Sequence, residues 1–368
     1  MKKLCLLVFL PSLLAAGQNA PPSSAPVFTA AELKAFTSLD PIDTHTHIFA
    51  TNAEFIGMIR RLNLHTVDIC LDDDTDPYLK DLPREIADAK RYIAASQGRS
   101  VLATSFNPFP YRDPGFDSSV NGQINRDFDQ GAVAVKIWKN IGMEIKRPDG
   151  SYLMPDDPVF EPIYKDIAAH NKTLIAHLAE PDSCWKALTP ASPDYWYYRR
   201  HPEWYMYGKA GAPSKAAILR ARDNILAENP QLRVVGAHLG SMESDFNQLA
   251  QHLDRYPNFA VDLAARMPYL MMLPREQAIA FIGKYRDRLI YATDLAFMPG
   301  ANTGETIAHW QSEYARDWRF LATNDLVEYN GKRHRGLDLP RPVLYKLYHA
   351  NAMHWFPGMA KTTNQSAN

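Results

Sequence analysis

The sequence predicts an α/β fold in which eight parallel strands alternate with helices and close into a (β/α)8 barrel, the TIM-barrel architecture. Three observations support it: eight short apolar runs recur along the chain, helical patterns separate them, and His or Asp residues stand at the ends of several runs. Strands that alternate with helices pair in parallel through right-handed crossovers. An open doubly wound sheet is the alternative. The barrel is favoured because the polar residues at the strand ends need to converge.

Each apolar run is rich in Val, Ile, Leu, Ala or Thr and is bounded by turn residues, which is typical of strands buried on both faces. In chain order, the predicted strands occupy residues 41–48, 65–72, 100–108, 131–138, 173–179, 233–240, 259–265 and 289–296. Between them the apolar residues follow a helical period. The clearest helical patterns span residues 83–97, 157–171 and 214–229.

Two connections are longer than an ordinary loop between a strand and a helix. Residues 181–213, after the fifth strand, are rich in Trp and Tyr, and residues 297–339, after the eighth, contain a helical pattern and an Asn-Gly turn. Long structured loops after barrel strands commonly shape the active-site mouth. The sequence therefore predicts insertions after strands 5 and 8. We expect the aromatic one to pack on the barrel as a lid, with ring stacking on a substrate as the alternative.

The first residues follow the pattern of an export signal. Two lysines precede an apolar run, and small residues follow it at positions 15–17. The run is shorter than the ~20 residues of a membrane-spanning helix, so a cleaved signal peptide is favoured over an anchor. We expect a periplasmic or secreted protein. Its predicted segments are a signal peptide at 1–17, a leader at 18–39, the barrel domain at 40–358 and a flexible tail at 359–368.

Composition limits the partners. The formal net charge is −1 and no basic stripe appears, so the sequence gives no electrostatic support for a nucleic-acid partner. We expect a small-molecule substrate and no stable membrane association after signal cleavage, and a homodimer stays open. Cys70 and Cys184 are expected to be structural thiols, because two cysteines in so large a domain do not form a disulfide framework. A single disulfide between them stays open.

The residues that carry chemistry stand at strand ends. His45 and His47 are two positions apart on the first strand, so both side chains point to the same face. His177 ends the fifth strand, His238 the sixth and Asp294 the eighth. The C-terminal strand ends carry the active site of barrel enzymes. Three imidazoles and a carboxylate, with His238 in addition, suit Zn²⁺ or a similar divalent cation.

At these positions the sequence resembles the amidohydrolase superfamily. The motifs D-T-H-T-H, V-K-I-W, I-A-H, G-A-H-L-G and Y-A-T-D occur in that order, and LYHANAMHWFPG closes the domain at residues 347–358. More narrowly, the chain is similar to the amidohydrolase-related (type 2) branch, which includes aminocarboxymuconate-semialdehyde decarboxylase and several lactonases. The resemblance covers roughly residues 40–358.

The resemblance implies a site with one divalent metal, for which Zn²⁺ is favoured and Mn²⁺ or another divalent ion is the alternative. It implies that His45, His47, His177 and Asp294 hold this metal. It also implies that Asp294 takes a proton from the metal's water and that His238 polarises that water or the substrate. The general chemistry agrees, because a metal lowers the pKa of bound water toward ~7 and a nearby carboxylate or imidazole can then accept the proton.

Other residues have weaker claims to the site. Lys136 stands where two-metal relatives carry a carbamylated, bridging lysine, and a lysine paired with an acid is the favoured alternative. Arg266 could pair with a substrate carboxylate through its planar fork, or it could simply end a helix. Asn107 could hydrogen-bond the substrate or cap a turn. The acidic run at residues 72–74 is expected to be a solvated turn.

Taken together, the sequence predicts a metal-dependent hydrolase in which a metal-activated water attacks an ester, lactone or amide carbonyl. The closest alternative is a metal-dependent, non-oxidative decarboxylase of an acidic, aromatic or muconate-like substrate, because the ligand sets of the two classes overlap. A cationic residue above the metal would favour the decarboxylase. An exported, catalytically inactive binding protein is the alternative from another class.

Overall fold

The computed structural model describes residues 27–190, 192, 194–329 and 331–359. The predicted signal peptide, the first part of the leader and nearly all of the predicted tail lie outside these residues. The described part of the leader includes helix α1, Ala30–Thr37, whose Phe36 is fully buried. The Phe36 ring packs edge-on against Trp318, with 5.7 Å between ring centroids.

Nine parallel strand segments form one curled sheet in the order β8-β7-β6-β5-β4-β3-β2-β1-β9. The segments are β1 Ile42–Ile48, β2 His65–Ile69, β3 Ser100–Ser105, β4 Ala134–Ile137, β5 Thr173–Ala176, β6 Arg233–Gly236, β7 Phe259–Asp262, β8 Leu289–Ile290 and β9 Leu295–Phe297. From β1 to β8 each segment pairs with its sequence neighbour, as the β-α-β order of the chain predicts, whereas β9 pairs with β1.

The sheet closes because β8 and β9 are two halves of the eighth predicted strand. β8 pairs with β7, and β9 pairs with β1. Between the halves, the Thr44 amide donates to the Tyr291 carbonyl at 3.2 Å and the Asp294 amide donates to the His45 carbonyl at 2.8 Å. The predicted (β/α)8 barrel is therefore confirmed. The eighth strand is interrupted where Asp294 adopts a positive φ of 68°.

Helices separate most of the strands along the chain. Following α1 they are α2 Ala53–Arg61, α3 Leu82–Ser96, α4 Phe116–Asp129, α5 Asn140–Met143, α6 Glu161–Ala169, α7 Tyr195–Arg200, α8 Lys215–Glu228, α9 Ala237–Gly240, α10 Phe246–Arg255, α11 Met267–Met272, α12 Arg275–Tyr285, α13 Thr303–Ala322, α14 Arg341–Tyr345 and α15 Asn351–Trp355. A π-helical turn, Lys346–Ala350, joins the last two helices. Across the described residues, every helix is too short or too polar to cross a bilayer.

Apolar side chains fill two layers. The outer layer lies between strands and helices, where Phe55 packs edge-on against Trp310 with 4.9 Å between centroids. The inner layer fills the barrel and includes Trp355 and Phe356 from the C-terminal segment. Asn351 fastens this segment by donating to the Arg286 and Leu289 carbonyls, both at 2.7 Å. This segment therefore closes the N-terminal end of the barrel, and the C-terminal end remains the place for an active site.

Both predicted insertions are present. The insertion after β5 contains α7 between two 3-10 turns, Asp182–Trp185 and Pro202–Trp204. The insertion after the eighth strand contains α13 and an antiparallel hairpin of β10, Leu326–Tyr329, and β11, Lys332–Arg335. Cys184, in the first insertion, is buried and free, as is Cys70 on the barrel.

A buried carboxyl group ties the start of β1 to α13. Asp43 accepts hydrogen bonds from the Thr293 hydroxyl at 2.5 Å, the Tyr314 hydroxyl at 2.7 Å and the His45 amide at 3.1 Å. Tyr314→Phe removes one donor from this group, and we expect it to lower the free energy of unfolding by about 1–3 kcal/mol. Chemical denaturation tests this. Tyr345→Phe, at a half-exposed ring, is the control and should change the unfolding free energy by less than about 0.5 kcal/mol.

Candidate metal centre

The first strand supplies two histidines to the C-terminal mouth of the barrel. His45 is buried, and the His47 side chain is 12% exposed. Their rings meet at 65° with centroids 5.4 Å apart. Because side chains two apart share a face of the strand, both rings point into the barrel. This is the arrangement that the sequence predicts for them.

Asp294 reaches both histidines from the break in the eighth strand. Its Oδ1 lies 3.3 Å from His47 Nε2 and 3.5 Å from His45 Nε2. A positive φ is costly for a residue other than glycine, and such strain concentrates at functional sites. Burial acts to raise the pKa of the Asp294 carboxyl, but the neighbouring imidazoles of His238 and His47 outweigh it and hold that pKa well below its usual value. The carboxyl is therefore ionised.

His238 and His177 complete the group from β6 and β5. His238 also has a positive φ, 59°, and its ring centroid lies 5.0 Å from that of His45. The His177 ring meets the His238 ring edge-on, with 4.3 Å between centroids. Burial lowers the pKa of both imidazoles, that of His238 to about 3, so both rings are neutral near pH 7.

His238 lies closer to the centre of this group than the sequence predicts, because the sequence places it beside the metal and not among the ligands. Possible ligand atoms of His45, His238 and Asp294 all lie within 4.8 Å of one another. His47 joins this trio through Asp294, and His177 joins it through His238. The structure therefore gathers all five residues that the sequence selects, and His238 lies in the innermost set.

The hydrogen bonds of the histidine rings are compatible with metal binding through Nε2. The Nδ1 of His47 lies 2.8 Å from the Ile69 carbonyl, and the Nδ1 of His238 lies 2.9 Å from the Ala264 carbonyl. Since a carbonyl only accepts, each Nδ1 carries a proton, and in the neutral ring the Nε2 then keeps a lone pair. His45 follows the same rule, because its Nδ1 donates to a carboxylate. Histidine ligands of metals are commonly oriented in this way.

The carboxylate that orients His45 belongs to Asp262, which sequence reasoning did not select. Asp262 Oδ2 lies 2.8 Å from His45 Nδ1, and Asp262 Oδ1 accepts the amide of His238 at 2.7 Å and that of Ala264 at 3.1 Å. One buried carboxylate thus fixes two members of the trio. The sequence could have indicated Asp262 by its position as the last residue of β7, because the other site residues also lie at strand ends.

Lys136 lies beside the trio. Its Nζ is 3.1 Å from His45 Nε2, and burial lowers the pKa of its ammonium group to about 8. A cleft opens from this point between the ends of β2, β3 and β4. Its empty volume, including space open to solvent, is about 180 Å³. The residues that line it include Asp72, Ser105, Phe106, Lys136, Trp138 and Asn140.

The two weaker substrate candidates have different surroundings. Arg266 is mostly buried and forms an ion pair with Glu243, with 3.8 Å between Nε and Oε2. Its charge is therefore opposed by a carboxylate within the protein. Asn107 is exposed, and its Oδ1 accepts the Phe109 amide at 2.8 Å. This contact is the turn-capping alternative that the sequence left open.

The aromatic insertion is anchored at the same mouth by Lys139, a residue that sequence reasoning also missed. Lys139 is buried, forms an ion pair with Glu180 and donates to the Tyr197 hydroxyl at 2.7 Å. The Trp204 ring lies 4.6 Å from its Nζ, within cation–π distance. The contacts of Tyr197 and Trp204 support the prediction that the insertion packs on the barrel as a lid.

The acidic turn after β2, residues 72–74, is not the solvated turn that the sequence predicts. Asp72 and Asp73 are buried, whereas Asp74 is exposed. Asp73 is held by the Thr75 amide and hydroxyl, at 2.9 and 2.5 Å. The prediction was wrong because the loops after β3 and β4 cover this turn, which a linear pattern does not reveal.

The acidic turn gives the protein a testable pH dependence. Burial, together with the nearby carboxylates of Asp73 and Asp74, raises the pKa of Glu144 from 4.5 to about 7. A carboxyl whose pKa is raised by folding stabilises the fold less as pH rises from its unfolded to its folded pKa. Glu144→Gln should therefore melt like the wild type near pH 4 and at a higher temperature than the wild type at pH 8. Melting curves across this range test it, and an equal difference at both pH values would contradict it.

A TIM barrel with imidazoles and a carboxylate at its C-terminal mouth has the form of a metal-dependent enzyme. The comparisons identify the family. The family model Amidohydro_2, described as amidohydrolase, matches residues 113–358, and the chain belongs to this family. No curated protein sequence is significantly similar to the chain. The family assignment confirms the predicted resemblance.

Solved structures with similar folds support the barrel. A TIM-barrel protein from Bordetella bronchiseptica has a TM-score of 0.51 at 14% identity, over 87% of this chain and 99% of that chain. The 2,6-dihydroxybenzoate decarboxylase from Rhizobium has a TM-score of 0.50 at 16% identity, over 86% and 98%. A manganese complex of 5-carboxyvanillate decarboxylase from Novosphingobium aromaticivorans has a TM-score of 0.50 at 14% identity, over 86% and 95%. Identities this low show the fold alone.

Proposed function

We propose that this enzyme is a metal-dependent hydrolase that acts on an ester, lactone or amide carbonyl. His45, His47, His177 and Asp294 would hold one divalent metal, and His238 would stand beside it. When bound, such a metal lowers the pKa of a water molecule and polarises the carbonyl. The donor set favours Zn²⁺ or Mn²⁺, since imidazole and carboxylate suit both ions.

The protein's own groups can carry the proton. The ionised Asp294 carboxylate would take a proton from the attacking water and return it to the leaving group. His238 has its proton on Nδ1, so its Nε2 can accept a hydrogen bond from that water and orient it. Asp262 would hold His45 and the His238 backbone in position throughout.

Two cationic side chains near the site are already paired with carboxylates of the protein, and this observation favours hydrolysis over decarboxylation. Decarboxylation of an acidic substrate calls for a cation that is available to the substrate carboxylate. Arg266 is opposed by Glu243, and Lys139 is paired with Glu180. Lys136 lines the cleft and is the residue that supports the rival reaction.

Product analysis separates the two reactions. Metal-loaded enzyme is incubated with a panel of esters, lactones and amides and, separately, with a panel of hydroxylated aryl acids. We expect release of the acid product, with one oxygen derived from labelled water, and no carbon dioxide. Carbon dioxide from an aryl acid without hydrolysis of the first panel would establish the decarboxylase instead. No turnover of either panel would favour the inactive binding protein.

A further inference from the structure

One carboxylate in the cleft has no hydrogen-bond partner within the described protein. Asp72 is only 2% exposed, yet both of its carboxylate oxygens are buried without a partner. Its position is fixed, because the Asn140 side chain donates to the Asp72 carbonyl at 2.9 Å. A buried carboxylate without partners is costly, so a protein that keeps one commonly uses it on a ligand.

Asp72 lines the same cleft as residues next to the metal centre. Lys136, whose Nζ contacts His45, lines it from β4, and Trp138 lines it as well. A substrate whose carbonyl lies at the trio would therefore extend toward Asp72.

The charges around Asp72 are negative. Burial and the carboxylates of Asp74, Asp73 and Glu144 raise the pKa of Asp72 to about 7. Lys139, which anchors the lid, is already paired with Glu180. A positive charge bound here would relieve the repulsion among the carboxylates, whereas a neutral hydroxyl would not.

Given the proposed hydrolase function, we propose that Asp72 is the specificity-determining residue of the cleft and binds a cationic amino group on the acyl part of the substrate. The two free carboxylate oxygens accept two N–H donors of the ammonium group. Lys136 lies on β4 and Asp72 follows β2, so the cleft has a cationic wall and an acidic wall. The substrate would bind with its amino group toward the acidic wall.

Matched substrates test this proposal. The enzyme is given short acyl esters that carry an amino group, a hydroxyl group or neither at the same carbon. We expect kcat/KM for the amino ester to exceed that for the unsubstituted ester by about 10- to 100-fold, as for hydrogen bonds to a charged group. In Asp72→Asn this ratio should fall to near one. Equal rates for all three esters, a preference for the hydroxyl ester, or an unchanged ratio in the variant would each overturn the proposal.

A control variant and a binding measurement make the outcome specific. Glu85→Gln alters another buried carboxyl with an unpartnered oxygen, but one outside the cleft lining, and should keep the wild-type ratio. Asp72→Asn should melt no lower than the wild type, because it removes an unpaired buried charge. If no ester is hydrolysed, the proposed function fails. Binding at Asp72 is then measured as the shift in melting temperature that each matched free acid causes. A shift with the amino-substituted acid in the wild type but not in Asp72→Asn would support the role of Asp72. Any other pattern would overturn it.

Discussion

Replacement of His45 by alanine is expected to strip the metal from the site and to lower kcat/KM by about 10³-fold or more, because a catalytic metal supplies several kcal/mol of transition-state stabilisation. His45 lies at the centre of the site. Its Nε2 faces Asp294 and Lys136, and its Nδ1 is held by Asp262. Because one side chain makes all three contacts, we expect that no neighbour compensates for its loss.

Elemental analysis and steady-state kinetics measure this effect, and a second histidine provides the control. His354 is exposed on α15, away from the barrel mouth. His354→Ala should keep both the metal and the activity. A metal content in His45→Ala equal to that of the wild type would contradict the assignment of His45 as a ligand.

His238→Asn should keep the metal and lose most of the turnover, with kcat reduced by about 10²–10⁴-fold. Four proposed ligands remain in this variant, whereas the Nε2 that orients the attacking water is lost. His177→Ala, in contrast, should lose the metal itself. Folding should survive His238→Asn, because Asn is smaller, polar and tolerant of the positive φ that this position requires.

Metal content in the two variants separates the roles of His238 and His177. The distances between possible ligand atoms group His238 with His45 and Asp294. The measurement therefore tests directly whether His238 is a ligand. If His238→Asn loses metal as completely as His177→Ala, then His238 is a ligand. A two-metal site bridged by a carbamylated Lys136 then becomes the better assignment.

The fold was predictable because its signal is repeated eight times. Each strand is buried on both faces and therefore appears as a short apolar run, and each run is followed by a helical pattern. The break in the eighth strand was not predictable. It depends on Asp294 adopting a positive φ and pairing its amide with the His45 carbonyl, a contact between residues at opposite ends of the chain.

The site was predictable wherever a histidine or an aspartate stands at the end of a predicted strand. His45 and His47 share a strand face, and His177, His238 and Asp294 follow three other strands. Asp262 meets the same criterion at the end of β7 and could have been found by applying it to every strand. Lys139 and Asp72 could not, because their roles depend on how the loops after β2, β4 and β5 fold over one another.

Metal analysis of the wild-type protein, purified without added metal and assayed with the ester, lactone and amide panel, tests the central claim most directly. We predict about one divalent metal per chain, loss of hydrolysis on chelation and its return when Zn²⁺ or Mn²⁺ is added back. Possible ligand atoms of His45, His238 and Asp294 lie within 4.8 Å of one another, and His47 Nε2 lies 3.3 Å from Asp294 Oδ1, which is the basis of this prediction. Full hydrolytic activity in protein shown to be metal-free would contradict this mechanism.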